Sequence, residues 1–231
     1  MNSDKNTPRL LGAAFLFVMV ASIFSGLLLK SVVGTGSISD ILVNISDNLS
    51  MMRISILFGL VTSIGIVVLA ALLYIVFYKQ NKIIALVALG LYLGEAITLA
   101  VSKIGLFGLI PLSLELVKAG APEPSYFQTL GDFLYYAVYQ QGDNIHMLFF
   151  CLGAILWYYL FFRSRYIPRV LSVWGLATVC PLLIITLLAL YNRDLGAAIP
   201  VLIIGAPYIV FEALIGPWLM IKGIRNDSET K

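Results

Sequence analysis

Residues 54–78 read ISILFGLVTSIGIVVLAALLYIVFY, 25 residues without a charge. At about 1.5 Å per helical residue the run exceeds the roughly 20 residues that cross a bilayer's hydrocarbon. It does not alternate with a period of two and is too long for one strand, so a barrel reading fails. Working outward, five more segments share the pattern. They are 10–29, 83–110 (broken only by Glu95 and Lys103), 145–162 with one His, 170–192, and 195–221 with Glu212 as its one charge. The chain therefore predicts an all-α polytopic membrane protein. Residues 1–231 form a single domain of six transmembrane helices in one bundle.

Composition supports the same solvent. Of 231 residues, 60% are apolar and 12% are charged, with mean hydropathy +0.97. An average soluble domain is about 25% charged. A disulfide scaffold, a disordered chain and an ordinary cytosolic enzyme are excluded. The net charge of +3 does not point to nucleic acid, because the basic residues flank apolar runs and form no polybasic surface. The first segment, with Lys5 and Arg9 before it, resembles a secretory signal. It is longer than an h-region of about 7–15 residues, and Lys30-Ser31-Val32-Val33 offers no small-residue cleavage pattern. It is read as a span.

Basic residues set the orientation, since cytoplasmic loops carry the excess of Lys and Arg. Lys5, Arg9, Lys79, Lys82, Arg163, Arg165, Arg169, Lys222, Arg225 and Lys231 fall on one side, 10 in all. Lys30, Arg53, Lys103, Lys118 and Arg193 make 5 on the other, together with most of the acidic residues. Both termini are expected in the cytoplasm, with the loops 29–53 and 111–144 outside. In the first loop Ile38, Ile41, Leu42, Ile45, Leu49 and Met52 keep helical spacing. That is an amphipathic helix, either lying on the membrane or capping the bundle mouth. In the second, Ala121-Pro122-Glu123-Pro124 breaks the chain, and the Tyr-rich stretch 126–139 reads as an interfacial or re-entrant helix.

Charges inside the spans carry the functional information, because each costs at least about 2.5–3.5 kcal/mol at mid-bilayer. Glu95 lies 12 residues into the third span, roughly 18 Å deep. Thr98, Ser102 and Lys103 continue its face, and Lys103 can snorkel outward. Gly90 and Gly94 form a small-residue pair beside it. Glu212 lies among Pro200, Gly205, Pro207, Gly216 and Pro217; with Pro181 in the fifth span this predicts a kinked, cavity-lining pair of helices. Arg53, Lys103, Asp143 and His146 would line an outward polar vestibule with Glu95 beneath, and Arg53 or His146 is the expected partner of Glu95. The competing reading gives Arg53, Lys103 and His146 structural roles as snorkelling or capping groups. The candidate ligand-binding residues are thus Glu95, Arg53, His146, Lys103, Asp143 and Glu212.

Metal and nucleophile chemistry find little support. One His in the chain does not make a catalytic metal site. Cys151 and Cys180 read as small buried apolar residues. Gly34-Thr35-Gly36 lacks the strand and helix of a phosphate loop. No cofactor is implied.

The turn Arg163-Ser164-Arg165-Tyr166-Ile167-Pro168-Arg169-Val170-Leu171-Ser172-Val173-Trp174-Gly175 resembles the signature of the domain of unknown function 4386 family. Pro8-Arg9-Leu10-Leu11-Gly12, Arg53 opening span two, and a Glu in span three before a long outer loop are similar to it as well. The resemblance covers almost the whole chain. It implies a bacterial inner membrane and six spans, and it brings no activity. Physically, the three arginines sit among anionic headgroups at roughly 1 kcal/mol each, and Pro168 opens a helix without losing a useful donor. Three functions compete. One is binding of a small or lipidic ligand in the vestibule, for transport or sensing. The others are an accessory or structural role without ligand, and an intramembrane enzyme. Besides that ligand the expected partner is the bilayer, with no nucleic acid.

Overall fold

The computed structural model describes residues 6–120, 125–192, 195 and 201–224. The breaker at 121–124, the start of the sixth run with Ala198 and Pro200, and Lys5, Arg193, Asp194, Arg225 and Lys231 lie outside them. The described residues are helical: α1 Thr7–Val33, α2 Ile38–Asp47, α3 Leu49–Phe77, α4 Lys82–Lys118, α5 Ser125–Asp132, a π-helical stretch Phe133–Gln140, α6 Gln141–Ser164, α7 Arg169–Tyr191 and α8 Val201–Lys222. Six of the continuous helices are long and apolar enough to cross a membrane.

The six pack as a closed ring. α1 lies against α3, α3 against α4, α4 against α6, α6 against α7, α7 against α8, and α8 returns to α1. Glycine closes the ring. A Cβ on Gly12 would stand 2.4 Å from the Gly216 carbonyl oxygen, and one on Gly216 would stand 2.5 Å from Leu16 Cγ. Backbones approach this closely only where side chains are absent, and such packing drives helix association where lipid removes the hydrophobic incentive. Hydroxyls tie two of the other seams, α1–α3 and α3–α4. Ser25 Oγ donates to the Ser55 carbonyl at 2.9 Å and Ser55 Oγ donates to the Ser25 carbonyl at 3.0 Å. Ser63 Oγ donates to the Ala96 carbonyl.

Two apolar cores fill the ring. One, toward the turns at 78–81 and 165–168, is built on Phe15, Phe77, Trp157, Tyr158, Phe161 and Phe211. The other, toward α2, holds Leu29, Ile41, Leu42, Ile45, Met52, Ile56 and Leu109. Between them lies a layer of small and polar residues: Ser25, Ser55, Gly59, Ser102 and Lys103.

The two outer loops are more helical than their composition suggests. α2 has buried Ile38, Ile41, Leu42 and Ile45 and packs on α4 and α5, so it caps the bundle and does not lie on the lipid. A capping box starts it, with Ser37 and Asp40 each accepting from the other's backbone. Asn44 Nδ2 donates to the Val33 carbonyl at the end of α1. There the chain turns at Gly34, whose φ of 65° suits a residue without a Cβ.

The expected outer loop 111–144 is largely helix. α4 runs through Pro111 to Lys118. The stretch 126–139 is no separate re-entrant piece, because Tyr126–Ser164 is one uninterrupted helix of 39 residues. Its π-helical part packs on α4 at Gly105, where a Cβ would stand 2.4 Å from the Leu134 carbonyl oxygen. At about 1.5 Å per residue α4 and this helix are well over 50 Å long, so both project past roughly 30 Å of hydrocarbon and α2 fills the space beside them.

Candidate functional site

Two polar clusters lie inside the ring. The upper one joins α4 to α6. Lys103, only 5% exposed, runs its stem across Gly59, where a Cβ would meet its Cε at 2.7 Å. It does not snorkel. Its Nζ lies 3.9 Å from Asp143 Oδ1 and 5.0 Å from the centre of the Tyr139 ring. His146 Nδ1 is 2.9 Å from the Asp143 carbonyl oxygen and 3.6 Å from Asp143 Oδ1. Gly142 permits this approach, since a Cβ there would touch Ser102 at 2.8 Å. Asp143 thus stands between two cationic or cation-capable groups.

The helix carrying this cluster has an unusual surface. From Phe133 to Phe150 the residues are partly buried, except Phe133, Ala137 and Ile145, which are exposed. Fully buried residues begin only at Cys151.

The lower cluster joins α4, α6 and α8. Glu95 is 4% exposed, and its Oε2 has no hydrogen-bond partner among the described residues. Glu212, half-buried at the middle of α8, acts on it electrostatically. Tyr208 Oη donates to Glu212 Oε1 at 2.9 Å. Tyr208 has one proton to give, so the 2.9 Å contact between Tyr158 Oη and Tyr208 Oη is a bond that Tyr158 donates. The result is a directed chain, Tyr158 to Tyr208 to Glu212. Aromatic faces enclose it. Phe150 stacks on Tyr92 at 6.4 Å and meets Tyr208 edge-on at 5.1 Å. Trp157 meets Tyr92 at 6.1 Å, and its Nε1 is a second buried polar atom without a partner.

The expected placements resolve unevenly. Lys103, Asp143 and His146 come together as the spacing suggests. Arg53 does not join them, because α3 begins at Leu49 and Arg53 sits on an exposed position of its early turns. Glu95 forms no ion pair with Arg53 or His146, and the charged group that acts on it electrostatically is the other carboxylate, Glu212. Cys151 is buried as expected, and Cys180 is exposed on α7. Between α7 and α8 the described residues form an apolar cleft of about 470 Å³, lined by Trp174, Thr178, Pro181 and Pro207 among others. Among the described residues no three His, Cys, Asp or Glu side chains converge as metal ligands. Sequence reasoning missed Tyr92, Tyr158 and Tyr208. Tyr92 precedes Glu95 by three residues and Tyr208 precedes Glu212 by four, which puts each Tyr and its Glu on one helix face.

One comparison with known proteins bears on this arrangement. The family model described as Domain of unknown function (DUF4386) matches residues 10–223. The chain belongs to that family. The match takes in all six membrane-crossing helices and both polar clusters, so the DUF4386 assignment describes the whole bundle. No curated protein and no solved structure matches it.

Proposed function

We propose that this DUF4386 protein binds a small or lipidic ligand in a polar vestibule that opens at the α2 end of the bundle, to move it across the membrane or to sense it. The observation that supports this best is the Lys103–Asp143–His146 cluster, in which a nearly buried ammonium meets a carboxylate that is 39% exposed. Charges inside a bilayer cost several kcal/mol and persist where they face water or a ligand. Glu95 lies eight residues below Lys103 on α4, about 12 Å, with an oxygen free to accept one more partner. The excess of Lys and Arg in the turns at 79–82 and 163–169 supports cytoplasmic termini, and on that reading the α2 end is external. The protein belongs on this reading in the bacterial inner membrane.

The test is thiol accessibility in whole cells. Single cysteines replace Asp143, Met147 or, as a control, Ile97, in a Cys180→Ser background. Ile97 is 63% exposed on the lipid side of α4. A membrane-impermeant maleimide added outside should label positions 143 and 147, while a thiol facing lipid at 97 stays protonated and unreactive. Failure to label both 143 and 147 would remove the vestibule.

A further inference from the structure

We propose that the groove between α1 and α3 is a binding site for one anionic phospholipid, whose acyl chain lies in the groove and whose phosphate meets Arg9. The site is on the lipid side of the bundle and does not rest on the vestibule. The groove encloses about 480 Å³, and every residue lining it is apolar. The large exposed side chains of Leu10, Phe17, Ile64 and Val68 stand around the smaller Ala14 and the buried Gly65. A Cβ on Gly65 would stand 3.0 Å from Val18 Cγ2 and 3.2 Å from Phe17 Cδ1, so the two helices close the groove at its floor. Val61 and Leu72, both lining it on α3, are 11 residues apart, about 16 Å. That is the depth of one leaflet, half of roughly 30 Å of hydrocarbon. Over this length the volume gives a cross-section of about 30 Å², well below the roughly 80 Å² of a helix 10 Å across. A helix is too thick to enter, whereas an extended hydrocarbon chain fits lengthwise. Left unfilled, the lining would forfeit its dispersion contacts on one side.

Charge selects the headgroup. Arg9, Ala13 and Phe17 recur at four-residue spacing, so Arg9 continues the α1 wall one turn beyond the groove. It is exposed. Lys79, also exposed, lies at the same end in the turn after α3, with its Nζ 5.8 Å from the centre of the Tyr78 ring. Among the described residues neither cation forms an ion pair, and 7–10 and 78–82 contain no acidic residue. A guanidinium at the edge of the hydrocarbon, with a chain-sized slot running inward from it, matches a lipid phosphate. A zwitterionic headgroup would bring its own ammonium beside Arg9 and Lys79, so the net-anionic lipid is favoured. The same charges disfavour a second copy of the chain. Two copies in one bilayer share an orientation, and a two-fold contact here would set groove against groove and Arg9 against Arg9.

The full chain in mild detergent is titrated with dioleoyl phosphatidylglycerol or dioleoyl phosphatidylcholine, which share their chains and differ in headgroup charge. Bound lipid is counted by native mass spectrometry. The first phosphatidylglycerol should bind at least about fivefold more tightly than the first phosphatidylcholine, and it should raise the unfolding temperature. Arg9→Gln should cut that preference about fivefold, while Lys30→Gln at the other end of α1 should leave it unchanged. Ala13→Trp fills the groove from an exposed position and should weaken the first site for both lipids about tenfold or more. Val87→Trp, exposed on α4, should not. Where Ala13→Trp fails to fold, Arg9→Gln on the exposed first turn still decides. Equal binding of the two lipids, or an Arg9→Gln protein that keeps the full preference, would overturn the proposal. So would a folded Ala13→Trp protein that binds both lipids as the wild type does. A lipid-free dimer that Ala13→Trp dissociates would give the groove to a second copy instead.

Discussion

Gly12→Ala on α1 tests the closure of the ring with a control on the same helix. The added Cβ would lie 2.4 Å from the Gly216 carbonyl oxygen and 2.9 Å from the Met220 backbone nitrogen. Neither atom can rotate aside. Ordinary contact begins at 3.4 Å, so α1 and α8 must separate by about 1 Å at this point. A gap of about 0.5–1 Å forfeits roughly a quarter to a half of each dispersion contact it opens, and overpacking of this kind costs about 1–3 kcal/mol. Gly26→Ala meets nothing within 4 Å. The helix-propensity gain of Ala over Gly, about 1 kcal/mol, is common to both variants, so their difference isolates packing. Purified proteins are unfolded by graded heating or by increasing SDS mole fraction. Gly12→Ala should be less stable than Gly26→Ala by about 1–3 kcal/mol. Equal stability of the two would refute the close α1–α8 seam.

Other outcomes follow from the same geometry. Tyr208→Phe deletes its bonds to Tyr158 and Glu212 and should lower stability by about 1–3 kcal/mol in the same unfolding assay. Asp143→Asn leaves Lys103 without its carboxylate; Asp143 is 39% exposed, so the loss should fall between about 1 kcal/mol for surface pairs and about 3–5 for buried ones. Hydrogen bonds from the Ser37 hydroxyl and then the Ser37 backbone hold the Asp40 carboxyl below its usual value of 3.8. A lowered folded value contributes stability above 3.8 that is lost as pH falls through the lowered value, so amide exchange in α2, corrected for intrinsic rate, should stay slow until strongly acid pH. Asp40→Asn should remove that dependence. Reporter fusions after Lys82 and Arg165 should behave as cytoplasmic and one after Gly120 as external; an external signal at Arg165 would reverse the orientation.

The spans were legible because lipid admits so few solutions. A run such as 54–78 has one use, and the observed helix, Leu49–Phe77, differs only in its first turns. The outer extensions were not legible, for a physical reason. Asp132, Gln140, Gln141, Asp143 and Asn144 look like a loop when judged by hydropathy, yet they lie on one long helix that packs on α4 and α2. Pro111 likewise reads as a stop, but α4 continues through it for two turns. At the site, the cost of a buried charge singled out Glu95 and Glu212 individually. Their juxtaposition depended on helix rotation within the ring, which spans of nearly uniform hydropathy do not encode. The assumption that a buried carboxylate seeks a cation pointed to Arg53 and His146, and each of those is placed elsewhere.

The seam between α1 and α8 also sets a timetable. The helices it joins are the first and last of those described, and Gly12 precedes Gly216 by 204 residues. At about 5–20 residues per second, roughly 10–40 s of synthesis separate the two halves of that contact. During this interval the small-residue face of α1 stands in the bilayer without the helix it fits, and the lower carboxylate cluster lacks the wall that carries Glu212 and Tyr208. The polar interior is therefore sealed only once α8 has been made. A ribosome that stops short of α8 leaves five membrane-crossing helices whose ring is open between α1 and α7.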